Sequence, residues 1–154
     1  MLKLPVLKRA LAGAVLLGVA VVSPAQALDP GETIYARKAM MWSMGAHMGG
    51  IKAGLAAKNG KLVAGHARAI AALTPAFAKM FPKGTETGKT RAKAEIWQQM
   101  AKFQAAAKVL QTEAGALVAV AATGDMAKTG AQFGNMAKMG CGGCHKPFRA
   151  PKKK

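Results

Sequence analysis

In residues 95–124, EIWQQMAKFQAAAKVLQTEAGALVAVAATG, the apolar positions Ile96, Met100, Phe103, Ala107, Leu110, Ala114, Leu117 and Ala121 alternate spacings of four and three. That alternation draws one stripe along a helix and is incompatible with the two-residue period of a strand. Thr123-Gly124 closes the helix. On its C-terminal side, Asp125 caps a further helix carrying Met126, Phe133 and Met136, which runs on into Cys141-Gly142-Gly143-Cys144-His145. On its N-terminal side, Phe81 to Arg91 contains Pro, two Gly and three Thr and reads as a loop. Before it, a helix is predicted from Lys61 to about Met80, which Pro75 can cut short. The first helix starts at Asp29-Pro30-Gly31-Glu32, an N-cap acid with Pro at N1 and Glu at N3. Ile34, Met41, Met48 and Leu55 then recur every seven residues, with Met44 and Ile51 in the second seam, until Asn59-Gly60. Four amphipathic helices with short turns and one longer loop predict an all-α fold, an antiparallel four-helix bundle. No internal repeat stands out beyond the heptad-like spacing.

The chain has 154 residues, the size of one domain. Half of it (51%) is hydrophobic, which excludes a disordered chain, and two cysteines are too few for a disulfide scaffold. With 23 Lys and Arg against six acids, the formal charge of +17 points to an acidic partner, nucleic acid being the first suspect. The N-terminus changes that reading. Lys3, Lys8 and Arg9 precede the apolar run Ala10–Val22, and Ser23-Pro24 then leads to Ala25-Gln26-Ala27, the small-x-small pattern of a cleavage site. The run falls short of the roughly 20 residues that span a bilayer. Residues 1–27 are therefore expected to be a cleaved signal peptide, residues 28–154 the domain, and the location the periplasm, where no nucleic acid is expected as partner. No paired carboxylates and no Ser/His/Asp set can be assembled, so no enzyme is expected.

Cys141-Gly142-Gly143-Cys144-His145 has the C-x-x-C-H spacing that attaches haem c. On a helical turn the two thiols lie on one side, where they can add to both vinyl groups of one porphyrin, and the adjacent imidazole points at the iron. A redox C-x-x-C pair would sit in an α/β setting, and this chain shows no strands. Zinc needs about four ligands, with only His47 and His66 to complete the set, and a simple disulfide gives His145 no role. A haem in the bundle core is expected to be faced on its far side by another helix, the first, whose inward stripe carries Met41, Met44 and Met48. An axial Met raises the reduction potential, while packing is the commoner fate of Met on an apolar face. Arg37, one turn before Met41, occupies a seam position where a charge needs a partner. A haem propionate would serve, and a solvated Arg at the end of the stripe is the competing reading. Lys38 is the weaker propionate candidate. His47 and His66 have no ligand-like partner nearby, and a surface or packing role is expected for each.

The chain resembles the cytochrome c prime family, the class II c-type cytochromes. The resemblance rests on Arg37-Lys38-Ala39-Met40-Met41, on Phe81-Pro82-Lys83-Gly84-Thr85, on Glu95-Ile96-Trp97, and on Cys141 to His145 followed by Phe148-Arg149. It implies a four-helix bundle in the periplasm, often a homodimer. It also implies thioether bonds from Cys141 and Cys144 and an axial bond from His145. Arg37 would meet a haem propionate, with Lys38 and the loop around Thr90 as lesser contacts. Arg149 would lie near the proximal face, and Met41 falls at the distal position. The family has a high-spin branch, whose five-coordinate iron binds NO or CO, and a low-spin branch, in which a first-helix Met ligates and the protein carries electrons. The Met41-x-x-x-Gly45 spacing and the Phe81-Pro82 loop look more like the low-spin branch. Pro147 departs from many relatives and is expected to bend the last turn, which bears on the placement of Arg149. The preferred function is one-electron transfer through a covalent haem c, with NO/CO binding as the alternative. The basic surface, including Lys152, Lys153 and Lys154, is suited to an acidic redox partner or an anionic membrane surface.

Overall fold

The computed structural model describes residues 29–152, so the signal peptide expected at 1–27 lies outside the described residues. Helix α1 spans Pro30–Ala56 and opens with the expected capping box: Asp29 accepts from the Glu32 amide, and the Glu32 carboxylate accepts from the Asp29 amide. Helix α2 spans Gly60–Ala78 after the short turn at 57–59, with the Asn59 side chain capping the Leu62 amide. Pro75 does not cut α2 short: its ring is exposed, and Thr74 Oγ1 donates to the Ile70 carbonyl inside the same turn. The segment 79–94 then crosses the bundle, with Gly84 at φ 89° and Gly88 at φ 108°, conformations that disfavour a side chain.

The long stripe of the third helix is interrupted. Helix α3 covers only Glu95–Gln98, Gln99 leaves helical geometry at φ −127° and ψ 44°, and α4 runs Met100–Ala122. The stripe survives the break because both pieces bury the same face, with Ile96, Phe103, Ala107, Ala114, Leu117 and Ala121 all enclosed. Asp125 caps α5, Met126–Asn135, as expected. Beyond it the chain winds into a π-helix, Met136–Gly142, before α6, Gly143–Phe148. Alternating spacing cannot announce a π-helix, since it arises from a local register change in the hydrogen-bond ladder. Gly140 lies where this segment touches α4: an added Cβ there would meet Leu110 Cδ1 at 2.8 Å.

The four arms, α1, α2, α3–α4 and α5 through α6, form the antiparallel bundle, with α2 packing chiefly on α4 and α1. Two cores fill it. One is aliphatic, built from Ile51, Val63, Ala67, Ile70, Leu117 and Met136 with small neighbours. The other is aromatic, built from Phe81, Ile96, Phe103 and Phe148, with Phe77 and Trp97 packed against it. Met136 belongs to the first and Phe148 to the second, so the cysteine motif lies on the stretch that links the two cores.

Candidate haem site

Cys141 lies in the last turn of the π-helix and Cys144 in the first turn of α6, so the motif straddles the junction of two helical windings rather than one regular turn. Both thiols are free and half-buried, and Cys144 packs against the aromatic core. Burial pushes both thiols up, Cys144 to about 11 with the neighbouring Cys141 adding to the effect. His145 shifts the other way: burial lowers it first, then the positive charges of Arg149 and Arg91. The result is a neutral imidazole with a lone pair to give, beside two thiols held protonated. An added Cβ at Gly143 would meet open space. These residues fit a covalently attached haem, because the motif is accessible and its donors are uncommitted.

His145 lines an open groove of about 320 Å³ with Arg91, Gly142, Lys146, Arg149, Ala150 and Pro151. The C-terminal strand-like residues close one side of it. The Ala150 amide donates to the Arg91 carbonyl at 2.8 Å, Arg91 Nε donates to the Ala150 carbonyl at 2.8 Å, and the Lys93 amide donates to the Phe148 carbonyl. Pro147 is accommodated inside α6, and the backbone turns extended only at Arg149, φ −120° and ψ 125°. Arg149 thus stands next to His145 with its side chain exposed. Arg91 was not among the residues singled out from the sequence. Its neighbour Thr90 was, and the signal that could have found Arg91 is that a loop contact at 90 brings the next residue with it.

Arg37 is neither solvated nor at the surface. It is 3% exposed, and the crossing loop surrounds it. Its Nη1 donates to Thr85 Oγ1 at 2.9 Å and its Nη2 to the Thr85 carbonyl at 2.8 Å, with longer bonds to Thr90 Oγ1 and the Met80 carbonyl at 3.4 Å. The guanidinium also stands over the rings of Phe81, 4.7 Å away, and Trp97, 5.5 Å away. Burial draws its pKa down, and Glu86 opposes that shift. Arg37 and Thr90 are therefore brought together, by direct contact with each other. Lys38 is not brought to them: it is exposed, with its Nζ 5.9 Å from the ring centre of Trp42. Met41 is half-buried on α1 and belongs to neither packed core, while Met44 is buried and Met48 packs on the aliphatic core.

One expectation is overturned. His47 and His66 do have a partner, namely each other, with Nδ1 atoms 2.9 Å apart across α1 and α2. His47 lies on the second half of α1 and His66 on the first half of α2, on either side of the turn at 57–59, and an antiparallel helix pair brings such positions together. That cross-helix pairing is a signal that spacing along a single helix does not carry.

A family model described as Cytochrome C' matches residues 32–149. The chain is 36% identical over 149 residues to a cytochrome c' of Rhodospirillum rubrum, covering 94% of this chain and 99% of that protein. A solved cytochrome c' with an unusual ligand-controlled dimer dissociation superposes with a TM-score of 0.73 at 32% identity, over 82% of this chain and all of that one. A nitric oxide complex of a cytochrome c prime mutant from Alcaligenes xylosoxidans gives 0.72 at 25% identity, over 82% of this chain and all of that one.

Proposed function

The chain belongs to the cytochrome c' family and carries one covalently attached haem c, and from that premise we propose that it transfers single electrons in the periplasm. The haem supplies a one-electron iron couple. Cys141 and Cys144 would hold it through thioether bonds, and His145, kept neutral by burial and by Arg149 and Arg91, would give a ring nitrogen to the iron. Met41 would give its thioether sulfur. The observation that supports this is the condition of Met41: on a helix where Arg37 and Met44 are buried, Met41 stays half-buried and outside both packed cores. Arg37 anchors the crossing loop and, as a buried positive charge with Thr90 beside it, would serve a propionate. Arg149 sets the proximal electrostatics, and Lys38 is left to the outer surface.

A second reading, gas binding at a five-coordinate iron, is favoured by the nitric oxide complex of the Alcaligenes xylosoxidans relative. The absorption spectrum of the reduced protein separates the two. Sharp α and β bands that ignore CO, and that vanish in Met41→Leu, are the expected result. A broad spectrum that shifts with CO in the unmodified protein assigns it to gas binding instead. An acidic redox partner fits the excess of basic residues, and its association rate should fall steeply with added salt. Tyr35 and Trp42, 66% and 65% exposed and seven residues apart on α1, form the face on which two copies would meet. Trp42→Glu should then shift the sedimentation of a dimer to that of a monomer.

A further inference from the structure

The His47–His66 pair lies outside the residues that serve the haem, and its construction calls for an explanation. Two imidazoles from different helices present the same ring atom to each other, Nδ1 to Nδ1 at 2.9 Å, with ring centres 5.2 Å apart and planes inclined by 52°. The His66 ring rests directly on α1 at Gly50: a Cβ there would fall 2.2 Å from His66 Nε2 and within 2.5 Å of two ring carbons. Gly50 is one turn beyond His47, so the same face of α1 provides both the opposing nitrogen and the cradle for the ring. Both histidines are half-buried and remain reachable from solvent.

We propose that His47 and His66 form a copper(II) site, in which the two Nδ1 atoms take cis positions of a square-planar ion and water fills the others. Two metal–nitrogen bonds of about 2.0 Å at a right angle set their nitrogens about 2.8–2.9 Å apart, against about 3.3 Å at a tetrahedral centre. The separation that the hydrogen bond between the rings already sets is the one a square-planar ion requires, the geometry of copper(II) and nickel(II), and copper(II) leads the affinity order for nitrogen ligands. Without the ion one imidazole donates its Nδ1–H to the other's Nδ1; on binding, the donor ring takes the Nε2–H tautomer and both rings turn so that the two Nδ1 lone pairs face the ion. No third His, Cys, Asp or Glu joins the pair among the described residues, so the other ligands are exchangeable water. The bound ion ties α1 to α2 on the aliphatic side of the bundle, where Ile51 and Val63 already pack.

The test is a titration of the haem-loaded protein with copper(II) sulfate near neutral pH, followed by equilibrium dialysis and by electron paramagnetic resonance. One ion per chain with splitting from two nitrogens is expected, with zinc at least about tenfold weaker. His47→Ala and His66→Ala should each weaken copper binding at least about tenfold, and Gly50→Ala should do so with both imidazoles still present. His66→Phe keeps the ring volume without a ligand nitrogen and serves as the variant least disturbing to the fold, checked by an unchanged haem spectrum and helical circular dichroism. Copper binding that is unchanged in His66→Phe, or absent from the unmodified protein, overturns the proposal. Zinc binding as tightly as copper overturns its geometry.

Discussion

The two cores of the bundle are built on different rules. The aliphatic core is made by helices alone, with residues such as Ala64, Ala67, Ala114 and Ala121 letting α1, α2 and α4 approach closely. The aromatic core recruits residues far apart in the chain, Phe81 from the crossing loop, Ile96 from α3, Phe103 from α4 and Phe148 from α6. Its rings meet edge to face, with Phe81–Phe103 at 4.7 Å and Phe103–Phe148 at 5.4 Å between centres. It also encloses a charge, because Phe81 and Trp97 stand beside Arg37. The first core holds the bundle together. The second pins a loop, a buried cation and the end of the chain around the cysteine motif, so that stability and cofactor placement depend on separate sets of side chains.

The sharpest way to break this division acts on the motif itself. Replacing Cys141 and Cys144 by Ala together should abolish covalent haem, seen as complete extraction of the pigment by acidified solvent. The helical circular dichroism should largely persist, because neither thiol belongs to the aliphatic core. Next in size are truncations in each core. Phe103→Ala should destabilise by about 3–5 kcal/mol and Leu117→Ala by about 2–5 kcal/mol in denaturant unfolding. Only Phe103→Ala should also alter the haem absorption, and an equal spectral change in Leu117→Ala would erase the distinction between the cores.

A smaller effect concerns the thiols before haem attachment. With Cys144 raised from 9.0 to about 11, the folded apoprotein holds about 100-fold less thiolate there than an unfolded chain does at neutral pH. Alkylation of Cys144 should accordingly keep accelerating up to pH 11 instead of levelling off near 9. The unfolded thiol ionises first, so apoprotein stability should fall as pH rises through that window, and Cys144→Ser should flatten the fall. The smallest effect is expected from Arg37→Lys, which keeps the charge but loses the forked bonds to Thr85 and Thr90, at about 1–2 kcal/mol. Hydrogen exchange at the Thr85 and Thr90 amides should quicken, with the aliphatic core unaffected.

Much of the bundle was legible in advance. The caps at Asp29 and Asp125 sit where expected, since a cap is a local exchange of hydrogen bonds between neighbouring residues, while Asn59, expected only as the end of α1, also caps α2. Breaks in winding were not legible. The departure at Gln99 and the π-helix at Met136–Gly142 leave the apolar stripe intact, so a reading based on that stripe runs straight through them. The sequence puts Arg37 at a seam position where a charge needs a partner, which is a property of its position. The partners themselves come from 43 to 53 residues away on the crossing loop, beyond the reach of any local pattern.

By itself, then, the amino-acid order determined the helices, their inward stripes and the C-x-x-C-H motif, because each is written in spacings of four residues or fewer. Only the tertiary structure decided what meets across those helices: the Thr85–Arg37–Phe81 enclosure, the Arg91–His145–Arg149 groove and the His47–His66 pair. Such contacts depend on how the arms are registered against one another. That register is set by close approaches, at Gly50 on His66 and at Gly140 on Leu110, in which the absence of a side chain is what matters.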